Sequence, residues 1–144
     1  MSQIARLNLE SPTPPSGSSA CMIGVVEMVL SGGDDSFFPI YKSNSVDLAN
    51  ENEVKIPLPF DGQLDNLTIY CFANSMVNDS IITVRVNGSD SSLTTTVTAS
   101  NTGIFSDITN TVSVSKDDLL SFKFSCVDDL NICSFSLSLR YSTT

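Results

Sequence analysis

The chain has 144 residues with 16 Asp plus Glu against 7 Lys plus Arg, a net charge of −9, and neither His nor Trp. That length suits one domain that buries roughly 68–70% of the surface its unfolded chain exposes. The acidic balance excludes nucleic acid and anionic membrane as partners unless a basic patch intervenes, and Lys42, Lys55, Arg85, Lys116, Lys123 and Arg140 stand singly. Without His, Ser-His-Asp, Cys-His and His-metal arrangements are ruled out.

In chain order, the opening Met1 to Glu10 lacks the apolar core of a secretory signal, and no later run reaches the roughly 18 apolar residues of a membrane helix. The chain is therefore expected to be made in a cytoplasm without a cleaved signal. A quarter of its residues are nevertheless Ser or Thr, a composition of extracellular type. A protein working on the outside of a released particle reconciles the two. Ile4, Leu7 and Leu9 are the apolar residues of a weak strand or arm, followed by Ser11-Pro-Thr-Pro-Pro-Ser-Gly-Ser-Ser19, which has too few backbone donors to sit inside a sheet. Residues 1–19 read as an extended arm tied down by a neighbouring subunit, and residues 20–144 as the folded domain.

Met22 to Leu30 is an apolar run interrupted by Glu27 and reads as a central strand, ended by Ser31-Gly-Gly-Asp-Asp35. Phe37 to Tyr41 is a short strand that Pro39 confines to an edge or a bulge. Phe37, Phe38 and Tyr41 are the best candidates for an exposed aromatic contact; the alternative is that they fold back on the core. After a polar loop, Asn44 to Asn52, comes a short strand from Val54 to Leu58. Leu64 to Phe72 is a strand with Leu67, Ile69 and Cys71 on one face. Ile81 to Val86 and Leu93 to Ala99 flank Asn87-Gly88, the strongest short hairpin signal. Ile104 to Asp107 and Asn110 to Val114 read as two separate strands, with a tight turn at Lys116-Asp-Asp118. Phe122-Lys-Phe124-Ser-Cys126 and Cys133-Ser-Phe135-Ser-Leu137-Ser-Leu139-Arg-Tyr141 alternate apolar and polar residues, which only strands with one buried face fit. The six residues from Val127 to Ile132 are enough to join these two runs as antiparallel partners. Short strands separated by turns, with almost no helical periodicity, predict an all-β antiparallel sandwich with Phe122, Phe124, Phe135, Leu137 and Leu139 on its inner faces.

The order Gly62-x-Leu64-x-x-Leu67, Thr83-Val-Arg-Val-Asn-Gly88, Leu93-Thr-Thr-Thr-Val97, Thr102-Gly103, Asp107-Ile-Thr-Asn-Thr-Val-Ser-Val114 and Asp118 before Leu119 resembles single-domain jelly-roll modules of bacteriophage and viral structural proteins: fibre, appendage and capsid-decoration subunits. The resemblance covers somewhat under half of the chain and rests on turns and core positions. Asp117-Asp118 stands where those modules usually carry Gly-Asp. It implies a jelly-roll-like fold and a structural virion protein that self-associates, as a homotrimer, and docks on major capsid or other virion proteins. A carbohydrate- or receptor-binding module on the same sandwich, recognising a cell-surface glycan, is the alternative.

The acidic pairs Asp34-Asp35, Asp117-Asp118 and Asp128-Asp129 fall in turns, where Asp accepts backbone hydrogen bonds; a calcium site and a carboxylate catalyst are the weaker readings. Cys21, Cys71, Cys126 and Cys133 lack any CxxC spacing, which disfavours zinc. They read as small buried hydrophobes, with a Cys126–Cys133 disulfide as the alternative. No catalytic residue, cofactor or metal ligand is expected.

Overall fold

A computed structural model describes residues 20–31, 35–40, 50–127 and 132–143, and they form an all-β sandwich. The strands are β1 (Ala20–Ser31), β2 (Ser36–Phe38), β3 (Ile56–Pro57), β4 (Gly62–Asn74), β5 (Ser80–Val86), β6 (Ser89–Val97), β7 (Gly103–Val114), β8 (Leu119–Ser125) and β9 (Ile132–Thr143). A single turn of 3-10 helix, Glu51–Glu53, precedes β3.

The pairing starts at the Asn87-Gly88 turn. Both residues have positive φ, +52° and +81°, the backbone a two-residue I′ turn requires and one that Asn and Gly tolerate best. Val86 and Ser89 close the β5–β6 hairpin directly behind it. Working outward along the chain, β4 pairs β7, β2 and β3 pair β8, and β1 pairs β9, all antiparallel. These nested pairs alternate between two sheets, ordered β1-β9-β4-β7 and β2-β8-β5-β6. The β4–β9 and β5–β8 ladders complete the sheets. The result is the jelly-roll arrangement, one long antiparallel ribbon rolled into two layers.

The core lies between the layers. Leu64, Leu67, Ile69 and Cys71 of β4 meet Phe135, Leu137 and Leu139 of β9 on one side, and Ile82, Val84, Phe122 and Phe124 close it from the other. Four phenylalanines bridge the sheets. Phe38 stacks on Phe122 at 5.4 Å between ring centroids and meets Phe135 edge-on at 5.9 Å, while Phe124 stacks on Phe135 at 6.2 Å. Gly62 is required where β4 comes closest to β9: a Cβ there would collide with the Ser142 carbonyl oxygen and stand 2.8 Å from the Tyr141 ring.

Three expectations are corrected, and one, buried free cysteines at Cys71, Cys126 and Cys133, holds. β1 forms an edge of its sheet, because the sheet is completed on the far side of β9 by β4 rather than by another partner of β1. β8 and β9 belong to different sheets and are not paired with one another. Ile104 to Asp107 and Asn110 to Val114 are one strand, β7, with a bulge: Leu67 opposes Asp107 and Asp65 opposes Thr111, leaving three β7 residues opposite Asn66. Cys126 and Cys133 are free thiols. The arm, with Ile4, Leu7 and Leu9, and also Tyr41, Asp34, Asp128 and Asp129, lie outside the described residues.

Because Phe124 is fully buried and packs across the layers, Phe124→Ala is expected to lower unfolding stability by about 3–5 kcal/mol. Ile81→Ala, at a half-exposed site on the same sheet, should stay within about 0.5 kcal/mol. Urea unfolding of the two variants measures the difference.

Candidate functional site

The two outer faces of the sandwich differ in their electrostatics. On the β2-β8-β5-β6 side, the register places Phe37 and Thr83 beside Lys123, and Ser121 and Asp90 beside Arg85. Glu51 reaches down from the 3-10 turn. Its Oε1 accepts from Arg85 Nε at 2.8 Å and from the buried Ser121 hydroxyl at 2.7 Å. Arg85 also ion-pairs with Asp90, whose other oxygen accepts from Lys123 Nζ at 2.6 Å. Lys123 Nζ stands 3.7 Å from Asp35, which accepts from the Ser125 hydroxyl. Burial alone would push the Glu51 and Asp90 carboxyls up; hydrogen bonds and charge from Arg85 and Lys123, with Ser121 and Lys55 at Glu51, outweigh it and hold both below the usual range. Arg85 and Lys123 are spent on this network, so the described residues of this face form no basic patch.

Phe37 belongs to the same network. Its ring lies under the Arg85 guanidinium, 5.2 Å from the centroid, a cation–π contact within the domain. Phe38 is 1% exposed and sits in the phenylalanine bridge. For Phe38, the edge-strand aromatic folded back on the core is what the structure shows, and a contact role for it is corrected on that ground.

The opposite outer face carries side chains of another kind. Inward positions on β4 take Leu67, Ile69 and Cys71, so the alternation turns Thr68, Tyr70 and Phe72 to solvent. Tyr70 lies between Ser136 of β9 and Ile104 of β7, and Thr68 lies between Ser138 and Ser106. Tyr70 is 53% exposed and Ile104 73% exposed, and the Tyr70 and Phe72 rings stand 6.4 Å apart. Along the described outward positions of β4, β9 and β7 the charges are Asp65 and Arg140, which face each other in register and neutralise one another through two hydrogen bonds of 2.5 and 2.6 Å. In a chain of net charge −9, the charges at these described positions of β4, β7 and β9 cancel, and Tyr70, Phe72 and Ile104 are exposed large apolar side chains beside them.

A third feature lies where edge strands β6 and β7 run side by side. A cleft of about 470 Å³ there is lined by Thr94 to Thr96 and Phe105 to Asn110. Asp107 at its base is nearly buried, and both its oxygens are engaged: Oδ1 accepts from the Thr109 amide and hydroxyl and the Asn110 amide, and Oδ2 from the Thr94 amide and Asn110 Nδ2. Burial pushes this carboxyl up, but the hydrogen bonds from Asn110, Thr109 and Thr94 outweigh it and bring its pKa down to about 2. A carboxylate so saturated is a brace between the two sheets, with no lone pair left to serve as a base or ligand.

Of the described turn aspartates, Asp118 accepts a backbone amide as the sequence suggests, whereas Asp35 joins the ion-pair network through Lys123 and Ser125. Asp117 adopts φ +68°, and Asp118 accepts from the Ser115 amide and from Asn87 Nδ2, both at 2.8 Å. No group of three or more His, Cys, Asp or Glu able to hold a metal ion occurs among the described residues. Tyr70, Phe72 and Ile104 escaped the sequence reading although a signal exists: once Leu67, Ile69 and Cys71 are placed inward, apolar residues are left on the solvent side of β4. Asp107-Ile-Thr-Asn110 likewise carries the local pattern of an Asp that accepts from amides two and three residues on. The chain matches no known protein-family model and no curated protein.

Asp107 provides a pH test. Its pKa is depressed in the folded state, so its stabilisation is complete above the unfolded value near 4 and disappears as pH falls through about 2. Stability should therefore drop between pH 4 and pH 2, and Asp107→Asn should flatten that drop while costing about 1–3 kcal/mol at neutral pH, because buried donors lose their acceptor. Denaturant melts at stepped pH follow both effects.

Proposed function

We propose that this chain is a non-enzymatic structural subunit of a virus particle, a capsid-decoration or fibre-type module, which self-associates through the outer face of the β1-β9-β4-β7 sheet. The observation that carries the reading is the neutral Tyr70, Phe72 and Ile104 face on a strongly acidic molecule. Copies of a chain with net charge −9 repel one another over most of their surfaces, and a face without net charge that offers apolar area is where that repulsion is least and burial gains most. The jelly-roll order supports the same reading, since capsid subunits commonly use this architecture. It is equally the architecture of lectin domains, and the hydroxyl- and amide-lined cleft at β6 and β7, with the hydrogen-bonded Asp107 carboxylate at its base, favours the second reading, a glycan-binding module.

In the first reading, residues 1–19 supply the docking anchor on neighbouring virion proteins, with Ile4, Leu7 and Leu9 as its apolar contacts. The trimer is the expected assembly.

Sedimentation velocity over a wide concentration range tests the association. The wild-type chain should sediment as an oligomer, and a Tyr70→Glu, Ile104→Glu double variant as a monomer with unchanged circular dichroism. A monomeric wild type, or a variant that still assembles, contradicts the proposal. Removing residues 1–19 should leave the fold intact but abolish incorporation into the particle; unchanged incorporation contradicts the role of the arm.

A further inference from the structure

We propose that Cys71 and Cys133 form an oxidation site at which a buried disulfide closes between β4 and β9. The two thiols lie on neighbouring strands, both fully buried, with their Sγ atoms 3.6 Å apart. The register explains the contact. Cys71 opposes Phe135 and Cys133 opposes Asn74, and the irregularity between Cys71 and Ala73 leaves both sulfurs on the inner face as diagonal neighbours. A disulfide bond is about 2.05 Å long, so closure needs an approach of about 1.5 Å, shared between two χ1 rotations and a small strand adjustment. The third described thiol is placed differently: Cys126 Sγ points to Met76 Sδ at 4.0 Å and to the Asn78 carbonyl at 3.9 Å. The site is independent of the proposed association face, which lies on the other side of the same sheet.

The co-reactant is a peroxide. One cysteine sulfur attacks a peroxide oxygen; the O–O bond breaks, giving a sulfenic acid and one water. The second sulfur then attacks the sulfenic sulfur; the S–S bond forms, the S–O bond breaks and a second water leaves. Two thiols and one hydrogen peroxide become one disulfide and two waters, the sulfurs losing the two electrons that the peroxide gains. Burial and the neighbouring Cys71 push the Cys133 thiol up, so thiolate is scarce and the reaction proceeds through local opening of the strands. Once closed, the same burial shields the bond from small reductants.

The test treats the full chain with hydrogen peroxide, then counts thiols in denaturant. The four thiols of the chain should fall to two, with the loss of two hydrogens in mass and a rise in melting temperature of roughly 5–15 °C, because the bond joins residues 62 apart in sequence. Trypsin leaves Cys126 and Cys133 on one peptide, because no Lys or Arg lies between Lys123 and Arg140, so a second cleavage before Asp128 or Asp129 assigns the partner. Cys71 linked to Cys133 supports the site. Linkage through Cys126 or Cys21, bonds between molecules, or four surviving thiols overturns it. Cys126→Ser should still lose two thiols; Cys71→Ser should lose none, and if it fails to fold, the wild-type peptide map decides alone.

Discussion

The two-residue turn at Asn87-Gly88 sets the register on which the rest of the molecule depends. Val86 facing Ser89 and Arg85 facing Asp90 start the pairing, and the shift between Thr83 and Arg85 keeps the same faces together at Thr83–Thr94, because side chains on a strand alternate with period two and a one-residue slip would turn a whole apolar row to solvent. The turn is also held from outside. Asn87 donates to Asp118, accepts from the Leu119 amide, and gives its own amide to the Leu119 carbonyl. The innermost hairpin is thereby tied to the start of β8, the strand it must pair with next. The phenylalanine bridge completes the closure by joining β2 and β8 of one layer to β9 of the other.

Charge is distributed unevenly over this frame, and that unevenness carries the functional reading. On one outer face, Glu51, Arg85, Asp90, Lys123 and Asp35 form a continuous chain of ion pairs that also covers Ser121 and Phe37. Side chains committed in this way bind the loop before β3 to its own sheet. On the other face the strands carry mostly Ser and Thr, and the one described ion pair, Asp65–Arg140, is self-contained. Monomeric proteins expose scattered apolar residues routinely, whereas a cluster of aromatic and branched side chains on a neutral sheet face is the kind of surface that partners cover.

Much of the fold was legible in the sequence. The alternation in β8 and β9 located the inner phenylalanines and leucines, and Asn87-Gly88 located the central hairpin. Which strands share a sheet was not legible, because alternation reports a buried face and says nothing about the neighbour: β8 and β9 look like a hairpin in sequence and lie in opposite layers. The bulge opposite Asn66 hid the continuity of β7, since the pattern ends one strand at Asp107 and begins the next at Asn110, while Asp107, held by Asn110, braces β7 to Thr94 of β6. Phe37 and Phe38 show the same limit, as adjacent residues in a strand must point to opposite sides, one to the core and one to Arg85. The candidate face was readable only after the inward set of β4 was known.

In the proposed assembly, copies of this chain meet on the outer face of the β1-β9-β4-β7 sheet, around Tyr70 and Ile104. Amide hydrogen exchange compared between dilute and concentrated protein reads that contact. Protection gained on concentration should be confined to β4, β7 and β9, around Tyr70, Ile104 and Ser136, with β5 and β8 unchanged. Protection appearing instead on the ion-paired face, or no gain at any concentration, would contradict it.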